Sequence, residues 1–361
     1  MHTLNVKLGE HSYNIVTGER ILSGLGQAVR ALNCGHDAVV VSNPVIMRHH
    51  GAALLRSLHK AGLTTLVLEV PSGERSKSAP VAFKLIEKLA RHDVRRKLFV
   101  VAFGGGVVGD LAGYVAAAYI RGVPYIQVPT TLLAQVDSAI GGKVAVDLPV
   151  GKNLVGAFYQ PRIVFSDVDV LKSLTLRQIR NGLAEVIKYG IICDKNFFDY
   201  VDRNIGRLLK RDQRIMTQVV NDCSTIKARI VECDERETKG VRTILNFGHT
   251  IGHAIEAANQ YCDYHHGEAV ALGMRAATTI SHRCGLLKSV QADKINSLIT
   301  RAGLPEKLRK VPVPAILKHM EHDKKFKGRT NRFVLATAIG SVRVMDGINR
   351  KVIISALEEL R

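Results

Sequence analysis

Leu98-Phe99-Val100-Val101-Ala102-Phe103-Gly104-Gly105-Gly106-Val107-Val108-Gly109-Asp110 is the stretch that decides the fold class. An unbroken apolar run of strand character meets three glycines, and helical periodicity follows over 109–119. Gly104, Gly106 and Gly109 satisfy the spacing of a dinucleotide fingerprint. In such a turn bare backbone approaches a pyrophosphate, whose charge the following helix N-terminus favours. Two features depart from the standard form: the turn follows a late strand, and no acidic residue lies about twenty positions downstream. Close helix–strand packing would also select glycine, so the surrounding chain has to decide.

Outward from that turn, strand-like and helix-like runs alternate. Residues 6–8 and 13–16 flank Gly9-Glu10 as an opening hairpin. Residues 38–41, 65–70, 98–103, 125–128 and 163–165 read as later strands, with helices over 79–92 and 109–119 between them. This rhythm predicts a mostly parallel sheet with helices on both faces. After about Ser173 long helical periods take over, at 177–190, 214–231, 249–258 and 268–284, with few strand signals. The expectation is an α/β domain over 1–172 followed by an all-α domain over 173–361.

A length of 361 residues suits two domains, and a hydrophobic fraction of 46% suits packed cores. No apolar run reaches the length of a membrane span. The first residues alternate like a strand instead of forming a secretory signal, so the expected location is cytoplasmic. Six scattered cysteines without a CxxC pair read as reduced thiols. The net charge of +19 favours anionic partners. Its clusters at 91–97, 203–214 and 307–310 read as outer helix faces. Aromatics are only 5% and Trp is absent, which argues against nucleic acid and for a small anionic substrate.

Two further strand ends carry polar turns. In Pro71-Ser72-Gly73-Glu74-Arg75-Ser76-Lys77, Glu74 suits a ribose hydroxyl and Lys77 a phosphate; Pro129-Thr130-Thr131 adds hydroxyls. Three strand ends together favour a nucleotide over packing alone. In the second half, Asn246-Phe247-Gly248-His249-Thr250-Ile251-Gly252-His253-Ala254-Ile255-Glu256 sets His249 and His253 on one helix face, a spacing suited to a shared metal. His265-His266-Gly267-Glu268 follows, and Glu185 and Lys188 sit three apart on an otherwise apolar helix. Imidazoles with a carboxylate suit Zn2+ and leave a position for substrate oxygens. Gln135-Val136-Asp137-Ser138-Ala139-Ile140-Gly141-Gly142-Lys143 and Gly151-Lys152-Asn153 suit either an anion pocket or a flexible loop.

These motifs, with Ser72-Gly73-Glu74, Arg121-Gly122, Ala184-Glu185-Val186-Ile187-Lys188-Tyr189-Gly190 and Asp234-Glu235-Arg236-Glu237, resemble the 3-dehydroquinate synthases in order from about Ser42 to Gly340. The resemblance implies a Rossmann-like α/β N-terminal domain, an α-helical C-terminal domain and a homodimer. It implies metal ligation by Glu185, His249 and His266, which makes His253 a substrate contact. Of the adjacent His265 and His266, the place directly before Gly267-Glu268 selects His266. NAD contacts fall on Asn43, Glu74, Lys77, Gly105, Gly106, Asp110, Thr130 and Thr131, with Lys143 and Lys152. Substrate contacts fall on Asp137, Lys143, Asn153, Lys188, Lys227, Arg242 and Asn246. Arg121 reaches the neighbouring subunit's site, and Lys324 or Lys325 supplies a C-terminal cation. Ala139 and Asp147 depart from the family pattern, where many members carry serine and asparagine.

The implied reaction takes 3-deoxy-arabino-heptulosonate 7-phosphate to 3-dehydroquinate and phosphate. It uses NAD and Zn2+, with Co2+ as an alternative metal. Lys143, Asn153 and Asn246 would hold phosphate, Lys227 and Arg242 carboxylate, and Lys188 and His253 would move protons. The rivals are a sister cyclase acting on sedoheptulose 7-phosphate or glucose 6-phosphate, a metal-dependent alcohol dehydrogenase, and a basic binding protein with a dead site. The first two have no use for the full set of carboxylate- and phosphate-binding residues.

Overall fold

The structure is a computed structural model that describes residues 1–92, 97–260, 262–321 and 331–361. Contacts divide the chain into two compact units, one of residues 1–175 with 216–236, the other of 176–215 with 237–361.

The first unit is built on a seven-stranded sheet. Its strands are β1 (His2–Val6), β2 (Tyr13–Gly18), β3 (Asp37–Ser42), β4 (Thr64–Glu69), β5 (Leu98–Gly104), β6 (Tyr125–Pro129) and β9 (Ile163–Asp167). Their spatial order is β1-β2-β9-β6-β5-β3-β4, parallel except for the β1–β2 hairpin. Alternate side chains serve opposite faces. Val39, Val41, Val100 and Ala102 pack with the helices Ala79–Arg91 and Gly106–Ala118. Ala38, Val40, Phe99, Val101 and Phe103 pack with Leu25, Leu54 and Leu58 on the other side. Burial on both faces is why these strands read as continuous apolar runs.

The chain leaves β3 for the edge strand β4 and then returns to the opposite side of β3 as β5. That reversal is a topological switch point, where strand carboxyl ends splay connections apart and leave a crevice. The glycine turn follows β5 at this point. Its late place in the sequence is therefore a consequence of strand order.

Two strands of this unit escaped the sequence reading. β7 (Lys143–Leu148) and β8 (Gly151–Phe158) form an antiparallel ribbon. Val144 and Val146 are buried with the helix Gly106–Ala118, whereas β8 is largely exposed and carries no core-facing alternation. The ribbon includes Lys143 and Gly151-Lys152-Asn153, whereas Gln135–Ser138 lie in a helical turn, Ala134–Ser138.

The second unit is mainly helical: Leu176–Cys193, Lys195–Leu209, His249–Ala258, His266–Arg283, Ser289–Arg301, Val313–Glu321 and Arg350–Glu358. It also carries a hairpin of β10 (Arg332–Ala338) and β11 (Ser341–Asp346). A single boundary near residue 172 does not describe the chain, because most of the helix Gln213–Cys233 belongs to the first unit. Ala228 packs there with Val6, Tyr13, Ile15 and Val164, and Glu232 accepts the Lys7 N–H at 2.7 Å. Residues 307–310 are not a helix face either. They lie in irregular chain between the helices ending at Arg301 and starting at Val313, with Pro305 and Pro312 removing backbone donors on each side.

Candidate active site

In the first unit Asn43, Gly105, Gly106, Thr130 and Thr131 directly follow the carboxyl ends of parallel strands, and Glu74 and Lys77 lie in the longer turn after β4. Asn43 follows β3 and caps the short helix Pro44–Ile46, its Oδ1 accepting the Ile46 N–H at 3.1 Å. Gly105 and Gly106 follow β5, and a Cβ on Gly106 would sit 2.9 Å from Ser138 Oγ. Ser138 Oγ is buried and has no hydrogen-bond partner among the described residues, so a polar atom lies beside bare backbone. Thr130, after β6, is buried, and its N–H donates to Gly104 O at 2.9 Å. Thr131 Oγ1 accepts the Ala134 N–H at 3.2 Å. Glycines that admit close approach, an orphan hydroxyl and a helix N-terminus fit a pyrophosphate-bearing dinucleotide.

After β4, Glu74 lies 3.5 Å from Lys152 Nζ, and buried Lys77 pairs with Asp110 at 2.5 Å. Burial pushes the Asp110 carboxyl up, against the Lys77 ammonium, which pulls it down. Lys77 Nζ also donates to Asn153 Oδ1. Asn153 has a left-handed φ of 56°, and its N–H donates to Asp147 Oδ1 at 2.8 Å. Asp147, where the family pattern often has asparagine, thus holds Asn153. Lys227 Nζ donates to Asp137 through both its main-chain oxygen (2.6 Å) and Oδ1 (2.7 Å). Lys143 is exposed at the start of β7. Arg121 is exposed with φ 68°, beside Ile120 at φ 42°.

The second unit brings Glu185, His249 and His266 together. Glu185 is fully buried on the apolar helix Leu176–Cys193, next to Lys188, which contacts Oε2. Oε2 is thus ion-paired, whereas Oε1 has no hydrogen bond among the described residues, a costly arrangement for a buried carboxylate. His249 Nε2 lies 3.5 Å and His266 Nε2 3.8 Å from Glu185 Oε1. The other ring nitrogens are tied to acceptors: His249 Nδ1 to Phe247 O and His266 Nδ1 to Glu256 Oε2, each at 3.2 Å. An acceptor fixes the proton on Nδ1, so both Nε2 lone pairs face the buried carboxylate. That donor set fits a divalent metal and leaves coordination positions open, the pattern of a catalytic zinc centre.

Helix packing explains the convergence. Gly248, at φ 77°, opens the helix His249–Ala258, and a Cβ there would meet Met274 N at 2.8 Å. A Cβ on Gly273 would meet Gly248 O at 1.9 Å. These glycines let the two histidine-bearing helices cross at backbone contact. His253, one turn from His249, is exposed; it joins Glu256 and His266 in a second group of possible ligands among the described residues, without His249. The pairing of His249 with His253 suggested by their spacing is therefore not what the packing makes.

His265 points its chemistry elsewhere. It is the N-cap of the helix His266–Arg283 in a capping box with Glu268. Burial alone would lower the His266 pKa, but the hydrogen bond and charge of Glu256, with Glu185, raise it above the usual imidazole value. Buried Arg242 has Glu237 at 3.5 Å, and Asn246 ends the short 3-10 helix Val241–Asn246. Lys324 and Lys325 lie outside the described residues. Ser138, Glu256 and Asp147 were not singled out as site residues from the sequence. Ser138 and Glu256 did lie inside quoted motifs, and their types, a hydroxyl beside a glycine turn and a carboxylate three residues past a histidine, were the available signal.

Solved structures set the class. The chain matches a 2-deoxy-scyllo-inosose synthase, solved with carbaglucose-6-phosphate, NAD+ and Co2+, at TM-score 0.90 and 27% identity over 100% of both chains. It matches ValA, a 2-epi-5-epi-valiolone synthase from Streptomyces hygroscopicus subsp. jinggangensis solved with NAD+ and Zn2+, at 0.89 and 25% over 98% of each. An iron-containing alcohol dehydrogenase, at TM-score 0.69 and 14% identity over 96% of this chain and 97% of that one, shares the fold alone. The architecture is thus that of the sugar phosphate cyclases.

Within that class the chain belongs to the 3-dehydroquinate synthase family: residues 67–181 match the family's N-terminal part and 182–326 its C-terminal part. A 3-dehydroquinate synthase of Pelotomaculum thermopropionicum is 45% identical over 99% of this chain and 96% of its own. That of Desulforamulus reducens is 44% identical over 99% and 100%.

Proposed function

We propose that this chain converts 3-deoxy-arabino-heptulosonate 7-phosphate to 3-dehydroquinate and phosphate, a phosphate-eliminating lyase step of the shikimate route to aromatic amino acids. The observation that carries the reading is the convergence of two imidazole Nε2 atoms on buried Glu185, in a chain that aligns end to end with 3-dehydroquinate synthases at 44–45% identity. Cyclases of other sugar phosphates match it at only 25–27%. The unit built on the sheet takes NAD at its strand ends, and the helical unit takes Zn2+ or Co2+. When bound, these supply a reversible hydride acceptor and a Lewis acid for the substrate oxygens.

The chain's own residues bind, orient and move protons. Glu185, His249 and His266 hold the metal. Lys143, Asn153 and Asn246 hold the phosphate, whose charge cations and amide donors stabilise as it departs. Lys227 and Arg242 hold the carboxylate, Arg242 through two parallel hydrogen bonds that lysine cannot reproduce. Asp137 orients Lys227, which it contacts through its main-chain oxygen and Oδ1. Lys188, fixed against Glu185, and His253 exchange protons with substrate hydroxyls directly or through water. One bound orientation serves oxidation, elimination, re-reduction and aldol closure, since each acts on neighbouring atoms of one substrate.

The chain works as a homodimer in which Arg121 reaches the neighbouring subunit. Exposed Ile120 and the left-handed backbone at both positions support a turn held out for a partner. We assign the enzyme to the cytoplasm, in keeping with its use of NAD; separately, no helix among the described residues is long and apolar enough to cross a membrane. The test is phosphate release and product NMR with the heptulosonate phosphate, Zn2+ and substoichiometric NAD+. Many turnovers per NAD+, with 3-dehydroquinate formed and activity lost to a chelator, are expected. No phosphate from this substrate, with release from sedoheptulose 7-phosphate, would reassign the chain to the sister cyclases.

A further inference from the structure

One face of the helix Leu176–Cys193 meets the start of the helix His266–Arg283 three times in successive turns. Arg177, Asn181 and Glu185 are spaced four apart and so stack along that face. Arg177 grips Glu268 with two hydrogen bonds, Nε to Oε1 at 2.7 Å and Nη2 to Oε2 at 2.8 Å, and Nη2 also donates to Asp263 O at 2.8 Å. Asn181 Oδ1 accepts the Gly267 N–H at 2.6 Å. Glu185 faces His266 at the third level.

The middle contact is the informative one. The first N–H groups of a helix have no partner within it. The capping box settles the local turn, with Glu268 Oε2 accepting the His265 N–H at 2.9 Å. It leaves the turn free to shift relative to other helices, because both its partners belong to the same turn. The Gly267 N–H is instead satisfied from the helix that bears Glu185. Gly267 is also where the two backbones touch: a Cβ there would lie 2.1 Å from Asn181 O. Asn181 therefore registers the residue directly after His266 against the helix that carries Glu185.

We propose that Asn181 is a positioning residue for the metal centre, holding His266 Nε2 over Glu185 through the Gly267 N–H, with the Arg177–Glu268 fork as its outer support. The inference rests on the metal reading above. Groups one step behind a ligand set its orientation, and their loss weakens metal binding about 10–100-fold. A purely architectural contact would lower thermal stability and leave metal affinity, measured well below the melting temperature, unchanged.

The experiment compares the full-length chain with Asn181→Ala and Asn181→Asp. It measures the Zn2+ dissociation constant by chelator competition and the visible absorption band of bound Co2+. Asn181→Ala is expected to raise the Zn2+ constant by about 10–100-fold and to alter the Co2+ band. Asn181→Asp keeps the acceptor oxygen and is expected to restore both. Wild-type affinity with an unchanged Co2+ band in Asn181→Ala, whatever its melting temperature, would overturn the proposal, as would Asn181→Asp behaving like Asn181→Ala. Should Asn181→Ala fail to fold, Arg177→Gln breaks the outer fork; a weaker Zn2+ constant supports the ladder and an unchanged one overturns it. Absence of Glu185-dependent zinc binding in the unaltered chain would instead overturn the metal reading, and this inference with it.

Discussion

The strand-end crevice of the first unit and the metal centre of the second reach their geometry by opposite routes. In the crevice, backbone topology does most of the placing: β3, β4, β5 and β6 each end in a short polar or glycine turn, and strand order brings those turns to one rim. Most side chains there already have partners, as with Lys77 and Asp110 or Asn43 and its helix. At the metal centre, three side chains from three helices meet because glycines let the helices touch, and a buried carboxylate faces two imidazoles with the Lys188 ammonium beside it. A site placed by topology spreads its energy over many weak contacts. A site placed by side-chain convergence concentrates it in a few groups, and single substitutions there should cost more.

The largest expected effect follows from that concentration. Glu185→Ala removes the anionic ligand, and metal analysis should find the purified variant without stoichiometric Zn2+. Lewis-acid stabilisation of several kcal/mol corresponds to a rate loss of roughly a thousandfold or more. Wild-type turnover by a metal-free variant would break the contrast at its strongest point. Next comes Gly267→Ala. Its Cβ would meet backbone, not a movable side chain, so the two helices must part. Overpacking of this kind costs about 1–3 kcal/mol. Melting temperature and Zn2+ affinity should fall together, and a stable variant with normal affinity would show that the helix contact is dispensable.

The same contrast governs what was legible in the sequence. Strands buried on both faces announce themselves, so 98–103 was found almost to its ends as Leu98–Gly104. The ribbon β7–β8 was missed because β8 faces solvent and is punctuated by Gly151 and Gly156, which read as loop. β10 and β11 were missed although Phe333, Val334, Leu335 and Ala336 form a buried apolar run turned by Gly340 at φ 91°. In a helical context such a run is indistinguishable from a core helix by periodicity alone. Nothing in the helix Gln213–Cys233 shows which unit its face serves, since amphipathicity marks a buried side and not the identity of the partner. At the metal centre, helical spacing proposed His249 with His253, whereas Glu185, His249 and His266 came from family resemblance. Convergence of side chains 64 and 17 positions apart is a property of packing, which no local pattern encodes.

Acidification should act on the metal centre before the crevice. Zn2+ needs the lone pair of His266 Nε2, and a proton there competes with it. Burial lowers the His266 pKa, but Glu256 and Glu185 more than offset this and raise it. Competition therefore begins at a higher pH than for an ordinary imidazole. Below the raised pKa the apparent Zn2+ dissociation constant should rise about tenfold per pH unit, one proton being displaced per metal. Zn2+ titrations between pH 5.5 and 8 would show it. Glu256→Gln keeps a hydrogen-bond acceptor and removes the charge, so its curve should move to lower pH; an unmoved curve would detach Glu256 from His266.

The smallest effect belongs to the crevice. Gly106→Ala sets a Cβ 2.9 Å from Ser138 Oγ, but a hydroxyl can rotate away where a backbone carbonyl cannot. The loss should be confined to NAD, whose pyrophosphate must approach the same backbone. Its dissociation constant is expected to rise several-fold, with Zn2+ affinity and melting temperature close to those of the unaltered chain. Adding Ser138→Ala removes the buried oxygen that the new methyl crowds. If the rise came from crowding of Ser138 alone, the double variant would recover NAD binding. If Ser138 Oγ also donates to the dinucleotide, as its missing partner suggests, the double variant would bind NAD more weakly still. NAD titrations of the two variants separate a packing glycine from a binding one, the choice the glycine turn left open in the sequence.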